Sequence, residues 1–358
     1  MKHKLNINVL LPAIAITVAA VSCTKVERIP AADQEIAFTV GTYAPTKVSD
    51  VYTTDEITSF TSKAFLHANG AAAGTDYFGA SGTTINRTTS GAGVTWEPSR
   101  TYYWPIAQAT YLNFVSWFDN GGAPTTATET VLEWNSRSIA TTDNILYADE
   151  AWNFHGNLDT YYTSGVPTLF HHALARIAFT AKASPLTDPE HAGTTWTVTI
   201  NSASISALHT AGTMRLTNSA PSTGTAQTKA WNCAQELLWS ATDAAHSVSL
   251  GSSLALTGTA QDLYAMSSVL PQNLGNDVVL TLEYTVATYS NNVLTATETA
   301  TRHIQLNRLL NTSDIYITKW EPNKKYTYNI TINPMIGQIY LNPAVADWNT
   351  ASAYATVE

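Results

Sequence analysis

Apolar and polar residues alternate with a period of two along much of this chain. Between Gln34 and Tyr43, Ile36, Phe38 and Val40 fall on one side and Glu35, Ala37 and Thr39 on the other. Successive side chains of a strand point to opposite faces, so this pattern predicts a half-buried β-strand. Trp196, Val198 and Ile200 alternate with threonines, as do the apolar residues of Val278 to Val286 and of Tyr326 to Ile332. Thr58 to His67, Tyr111 to Phe118, Val131 to Trp134 and Ile145 to Trp152 read as further strands, and Leu169 to Lys182 holds a dense apolar stretch. Turn-forming clusters separate these runs, at Ala44 to Asp50, at Asn273-Leu274-Gly275-Asn276 and at Ser290-Asn291-Asn292. Asn69 to Gly93, rich in Gly, Ala, Ser and Thr, reads as a long surface excursion. Past the opening segment no stretch sustains a period of 3.6. The expected fold class is therefore all-β, built as antiparallel β-sandwiches. Gly156 to Thr168, carrying Gly165 and Pro167, is the expected joint between an N-terminal domain over 23–167 and a C-terminal domain over 168–358.

The opening residues break the alternation. Lys2 and Lys4 precede an apolar run from Val9 to Val21, interrupted by Pro12, and Ala20-Val21-Ser22-Cys23 follows. A charged start, a short apolar core and small residues before a cut describe a secretory signal peptide over 1–22. The run falls short of the roughly 20 residues that a spanning helix needs. Ala20-Val21-Ser22-Cys23 resembles a lipobox, at which bacterial signal peptidase II cleaves and a diacylglyceryl group is joined to the cysteine thiol. An ordinary signal peptide with an incidental cysteine is the alternative. On the lipobox reading the mature chain starts at Cys23 and is held on a membrane by acyl chains. Each buried CH2 contributes about 0.8 kcal/mol, and two chains suffice for stable anchoring.

Composition sharpens this picture. The 358 residues carry a formal charge of −9, and removal of Lys2 and Lys4 makes the chain more negative still. No cluster of Lys and Arg is present to bind nucleic acid or an anionic lipid surface. Charged residues make up 13% and aromatics 10%, a balance that favours strands. With Cys23 lipidated, Cys233 stands alone, so neither a disulfide nor a CxxC metal pair is available; a buried, inert thiol is expected there. His171 and His172 are neighbours on a predicted strand and point to opposite faces, so a structural role is expected rather than joint metal binding. His155 and His191 have no further ligand at metal spacing, and Asp143, Asp149, Glu150 and Asp159 read as solvated acids near the joint. The sequence holds no GxSxG, no HExxH and no glycine-rich phosphate loop. No enzyme, cofactor or metal centre is expected.

Four blocks carry a family resemblance: Cys23 in its lipobox, Tyr103-Trp104-Pro105 followed by Leu112 to Phe118, Phe170 to Ile177, and Trp320 to Ile330. In this order and spacing they resemble the fimbrillins, the type V pilin lipoproteins of Bacteroidota. The resemblance implies two transthyretin-like antiparallel β-sandwich domains in tandem, exported as an outer-membrane lipoprotein precursor through Cys23 and built into an adhesive cell-surface fimbrium. It further implies that the first strand, about 34–43, is a placeholder. A trypsin-like protease cuts the loop behind it, and the C-terminal strand of another pilin subunit takes its place head to tail. Lys47 is the only basic residue between Arg28 and Lys63 and is the candidate cut site, although the family's protease prefers Arg. The candidate donor strand is about 350–358, where Ala351, Ala353, Ala355 and Val357 alternate with Ser352, Tyr354 and Thr356 without a proline. A terminal strand of the chain's own second domain is the alternative for that segment. Two other readings stay open: a tip or anchor subunit that keeps its lipid, and a surface glycan-binding lipoprotein with tryptophan stacking platforms. Against the latter, Trp96, Trp104, Trp117 and Trp196 lie within or beside strand patterns and are expected in the core.

Overall fold

Strands dominate the residues that the computed structural model describes, namely 34–42, 57–68, 74–90, 93–105, 110–149, 151–154, 165–218 and 236–348. The first half gives β1 Phe38–Thr42, β2 Ser59–Ala68, β3 Thr75–Asp76, β4 Thr83–Ser90, β5 Gly93–Pro98 and β6 Thr110–Asp119. It continues with β7 Thr126–Ala127, β8 Val131–Ser138, β9 Ile145–Ala148, β10 Ala151–Phe154 and β11 Val166–His172. The second half opens with β12 Ala175–Ala183, β13 Thr194–Leu208, β14 Ala211–Thr217, β15 Glu236–Ala241, β16 His246–Leu256 and β17 Gln261–Val269. It ends with β18 Gln272–Asn273, β19 Val279–Ser290, β20 Val293–Gln305, β21 Lys319–Trp320, β22 Lys324–Asn333 and β23 Gln338–Asp347. A 3₁₀ turn, Leu306–Arg308, is the one helical element among the described residues.

Three bodies of packing result. In the first, a nine-stranded sheet runs β10-β6-β9-β11-β1-β5-β4-β2-β3, and β6 also pairs with β2, so the sheet closes on itself. Its interior holds Phe60, Ile85, Leu112, Phe114 and Phe170. The second body is a sandwich of two four-stranded sheets, β17-β12-β22-β23 and β16-β13-β19-β20. Ile177, Phe179, Tyr328 and Ile330 of one sheet share a core with Val198, Ile200, Leu280 and Leu282 of the other. Alternation along each strand puts these residues on one face, and burying each such side chain contributes roughly 1.5–3 kcal/mol. The third body is a sheet of order β15-β14-β8-β7, two strands from each half of the chain. Leu132, Trp134, Met214 and Leu216 from it cover Phe65, Val115 and Trp117 on β2 and β6. The described residues accordingly cluster as one compact unit.

Several expectations need correction. Asn69 to Gly93 is no surface excursion throughout: it supplies β3 and β4, and Phe78 and Ile85 reach the core. Ile85 alone suffices on β4 because that strand lies between β2 and β5 and needs only one buried face. Leu169 to Lys182 breaks at Ala173 and Leu174, so β11 ends in the first sheet and β12 begins in the second sandwich. Both turn residues are buried, which hides the break from a polarity pattern. The sheets are not purely antiparallel either. β1 pairs parallel with β11, and β12 parallel with β22. Partners this distant in sequence are free of hairpin constraints and can lie in either sense.

Candidate functional site

The first strand is an insert between two others. β1 runs parallel to β11 from Phe38 opposite Val166 to Thr42 opposite Phe170, and on its other side Phe38 pairs with Trp96 of β5. Ahead of the strand, Glu35 bridges to Tyr103. Ile36 N–H donates to the Tyr102 carbonyl at 2.8 Å, Trp104 N–H to that of Gln34 at 3.0 Å, and Val166 N–H to that of Ala37 at 2.8 Å. The predicted alternation is realised. Ile36 and Phe38 are buried at 2% and 4% exposure while Glu35 and Thr39 face solvent. Phe38 meets Phe60 and Phe114 edge-on, each with ring centroids 5.7 Å apart. Such edge-to-face contacts add about 0.5–1.5 kcal/mol to plain burial. Gly165 makes the close approach possible. Its φ is +86°, and a Cβ there would sit 2.9 Å from the Phe38 carbonyl carbon. Taken away, β1 would leave β5 and β11 with facing unpaired edges above an aromatic-lined slot.

The far end of this seat meets the end of the described chain. Trp348, which follows β23, is buried, and its ring stacks on His172 with centroids 3.9 Å apart and 8° between planes. The Arg176 guanidinium lies 4.3 Å from the same ring, and Trp348 N–H donates to the Asn323 carbonyl at 2.8 Å. Thr42 pairs with Phe170, two residues before His172. Thr42 by its pairing and Trp348 by its ring therefore both meet the C-terminal end of β11.

The polar residues singled out by sequence have structural duties. His171 reaches Asp149 at 2.6 Å and stacks on Tyr147, whereas His172 bonds Asn144 at 2.9 Å, so the two rings do face opposite ways. Asp143 is not solvated. With Asp119 it brackets the Arg137 guanidinium at 3.0 and 3.1 Å. Hydrogen bonding to Asp119 raises the Arg137 pKa against the opposing effect of burial. Gly121 makes room for that group, since a Cβ there would lie 1.8 Å from Arg137 Nη2. Sequence reading missed a second buried network, in which Glu129 accepts from His67 and Asn113, each at 2.5 Å. His67 and Asn113 sit on apolar strands, and nothing in their spacing signals a partner. His191 bonds Asp188 at 2.9 Å in an exposed loop. No group of three or more His, Cys, Asp or Glu suited to a metal occurs among the described residues. Trp96, Trp104, Trp117 and Trp196 are in the core as expected, and Trp134 and Trp320 join them. Cys23, Lys47, His155, Glu150, Asp159, Cys233 and the segment 350–358 lie outside the described residues.

A family profile described as fimbrillin-like matches residues 46–348. The chain belongs to the fimbrillin-like family. Its fold is similar to that of a fimbrial protein from Bacteroides vulgatus ATCC 8482, with TM-score 0.57 at 14% identity over 88% of this chain and 99% of that one. A proposed cell adhesion protein from Bacteroides uniformis ATCC 8492 aligns with TM-score 0.46 and 16% identity over 88% and 99%. A fimbrilin from Porphyromonas gingivalis W83 aligns with TM-score 0.37 and 11% identity over 88% and 97%. No curated protein matches the sequence. In this fimbrillin-like chain the profile begins after β1 and ends on Trp348, so the body it covers excludes the placeholder candidate and the candidate donor segment.

Proposed function

We propose that this protein is a structural subunit of an adhesive cell-surface fimbria, made as an outer-membrane lipoprotein anchored through Cys23 and polymerised by strand exchange. One observation carries the reading: β1 is joined to the body only through residues 43–56 in sequence, yet it fills a slot between β5 and β11 with Ile36 and Phe38. A trypsin-like protease cutting after Lys47 would free that strand with its lipid. The exposed edges of β5 and β11 would then accept a strand of another subunit, for which residues 350–358 are the candidate. Unpaired edges above an apolar groove favour strand addition, and a head-to-tail contact that does not close gives a filament. On the family reading the body comprises two transthyretin-like sandwich domains, over 23–167 and 168–358, although β14 and β15 of the second half pack on the first.

N-terminal sequencing of assembled fibres tests the cut. Subunits beginning at Val48 are expected, and Lys47→Gln should leave monomeric precursor. Fibres whose subunits start at Cys23 would rule out strand removal and favour a tip or anchor subunit that retains its lipid. Removal of residues 350–358 should leave a folded monomer that cannot polymerise. If that deletion unfolds the protein, the segment is a strand of its own domain and not a donor. The glycan-binding reading loses support from the burial of Trp96, Trp104, Trp117 and Trp196.

A further inference from the structure

The second sandwich ends on one side in an open edge. β20 pairs with β19 from Val293 to Gln305 with one bulge at Thr295, and among the described residues β19 is its only neighbour in the sheet. The strand is 13 residues long, and every residue is exposed apart from the half-covered Ala300 and Ile304, so it overhangs the opposing sheet. Natural edges of this length are guarded by proline, lysine or other charges, a bulge or a covering loop. The edge strand β23 of the other sheet carries Pro343, opposite Tyr328. β20 has neither Pro nor Lys, its one bulge lies at Thr295 near its start, and Thr297, Thr299 and Thr301 favour an extended backbone. Its two charged residues, Glu298 and Arg302, stand opposite Val286 and Leu282 of β19 and therefore share one face. Both are exposed, and neither is in an ion pair among the described residues.

We propose that the free edge of β20 pairs antiparallel with the same edge of a second copy, about a two-fold axis through Ala300. The charges select both the occupant and the register. With Ala300 opposite Ala300, Glu298 of each copy faces Arg302 of the other, twice over, and Ala296 faces Ile304. A slip of two residues in either direction leaves all four charges unmatched. A slip of four sets Glu298 against Glu298 or Arg302 against Arg302, and like charges directly opposite destabilise a strand pair. A foreign strand without a matching pair of charges would leave Glu298 and Arg302 against uncharged neighbours, which disfavours it. The contact is isologous and closes at two copies. It is independent of strand exchange at β1 and would join subunits side to side rather than extend a fibre. One strand pair is small for an interface, so it is a weak, transient contact that gains from local crowding.

Sedimentation equilibrium of the soluble chain carrying Cys23→Ser tests this at high-micromolar concentration. A monomer–dimer equilibrium is expected, weakened by salt. Arg302→Glu and Glu298→Arg should each weaken it at least ~tenfold by creating two like-charge contacts, and the combined reversal should restore it. With Ala300→Cys, oxidation should link two copies, while Thr297→Cys, facing His303, should not. All four positions are solvent-facing or half covered, and circular dichroism confirms that each variant is folded. A monomer throughout, single reversals without effect, or no recovery in the double reversal would overturn the proposal.

Discussion

At the scale of single residues, the seat of β1 depends on one large side chain and one missing one. Phe38 is enclosed by aromatic rings, so Phe38→Ala should cost about 3–5 kcal/mol, read from chemical denaturation of the uncut protein. Gly165→Ala places a Cβ against the Phe38 carbonyl carbon at a φ of +86° and should cost about 1–3 kcal/mol. A loss no larger than that of an exposed surface substitution would mean that β1 does not sit tightly there. Tyrosines give a pH handle. Burial is the leading cause that pushes Tyr147 and Tyr326 up to about 12, and it raises Tyr328 too. In the unfolded chain these hydroxyls ionise near 10. Below that pH both states hold the proton and stability is unaffected; from about 10 upward the unfolded state alone releases it, and stability falls until the folded-state values are passed. Ultraviolet titration should show these tyrosinates forming together with unfolding rather than before it.

At the scale of elements, β1 differs from every other strand of its sheet. It lies parallel to β11, touches β5 through one residue pair and precedes a connection, residues 43–56, that lies outside the described chain. Its backbone bonds bind it sideways, and its removal costs no covalent link other than that connection. Weakening the seat should therefore hasten release once the chain is cut. Phe38→Ala protein treated with trypsin-like protease should lose residues 23–47 faster than the wild type, measured by mass spectrometry of the soluble fraction. Equal rates would place the barrier elsewhere. β4 shows why some elements escape a polarity pattern. Thr83–Ser90 carries Ile85 as its one core residue, and its partners β2 and β5 hold it in place. The alternating runs Val278 to Val286 and Tyr326 to Ile332 were legible because each covers a continuous core face.

At the scale of the whole molecule, the two halves are tied together by the sheet β15-β14-β8-β7 and by polar contacts between residues of the two halves. Glu133 of β8 receives a bond from Arg215 of β14 at 2.6 Å, and the Ser268 hydroxyl of β17 donates to the Asp143 carbonyl at 2.5 Å. Shared packing of this kind makes the halves unfold together, so calorimetry should give one transition. Two separated transitions would show that the shared sheet contributes little. Arg137→Met leaves Asp119, whose side chain is 0% exposed, without its guanidinium and should cost about 3–5 kcal/mol.

The sequence by itself determined the class of fold, the burial of Ile36 and Phe38, the opposite facing of His171 and His172, and the core placement of four tryptophans. Each is a local matter, because the period of two in a strand decides which side a residue takes. Tertiary structure alone decided that β1 lies between β5 and β11 and parallel to the latter, that strands from both halves share a sheet, and that Glu133 is paired with Arg215. Those depend on partners distant in the chain, and one sequence read along its length carries no record of which distant segments meet.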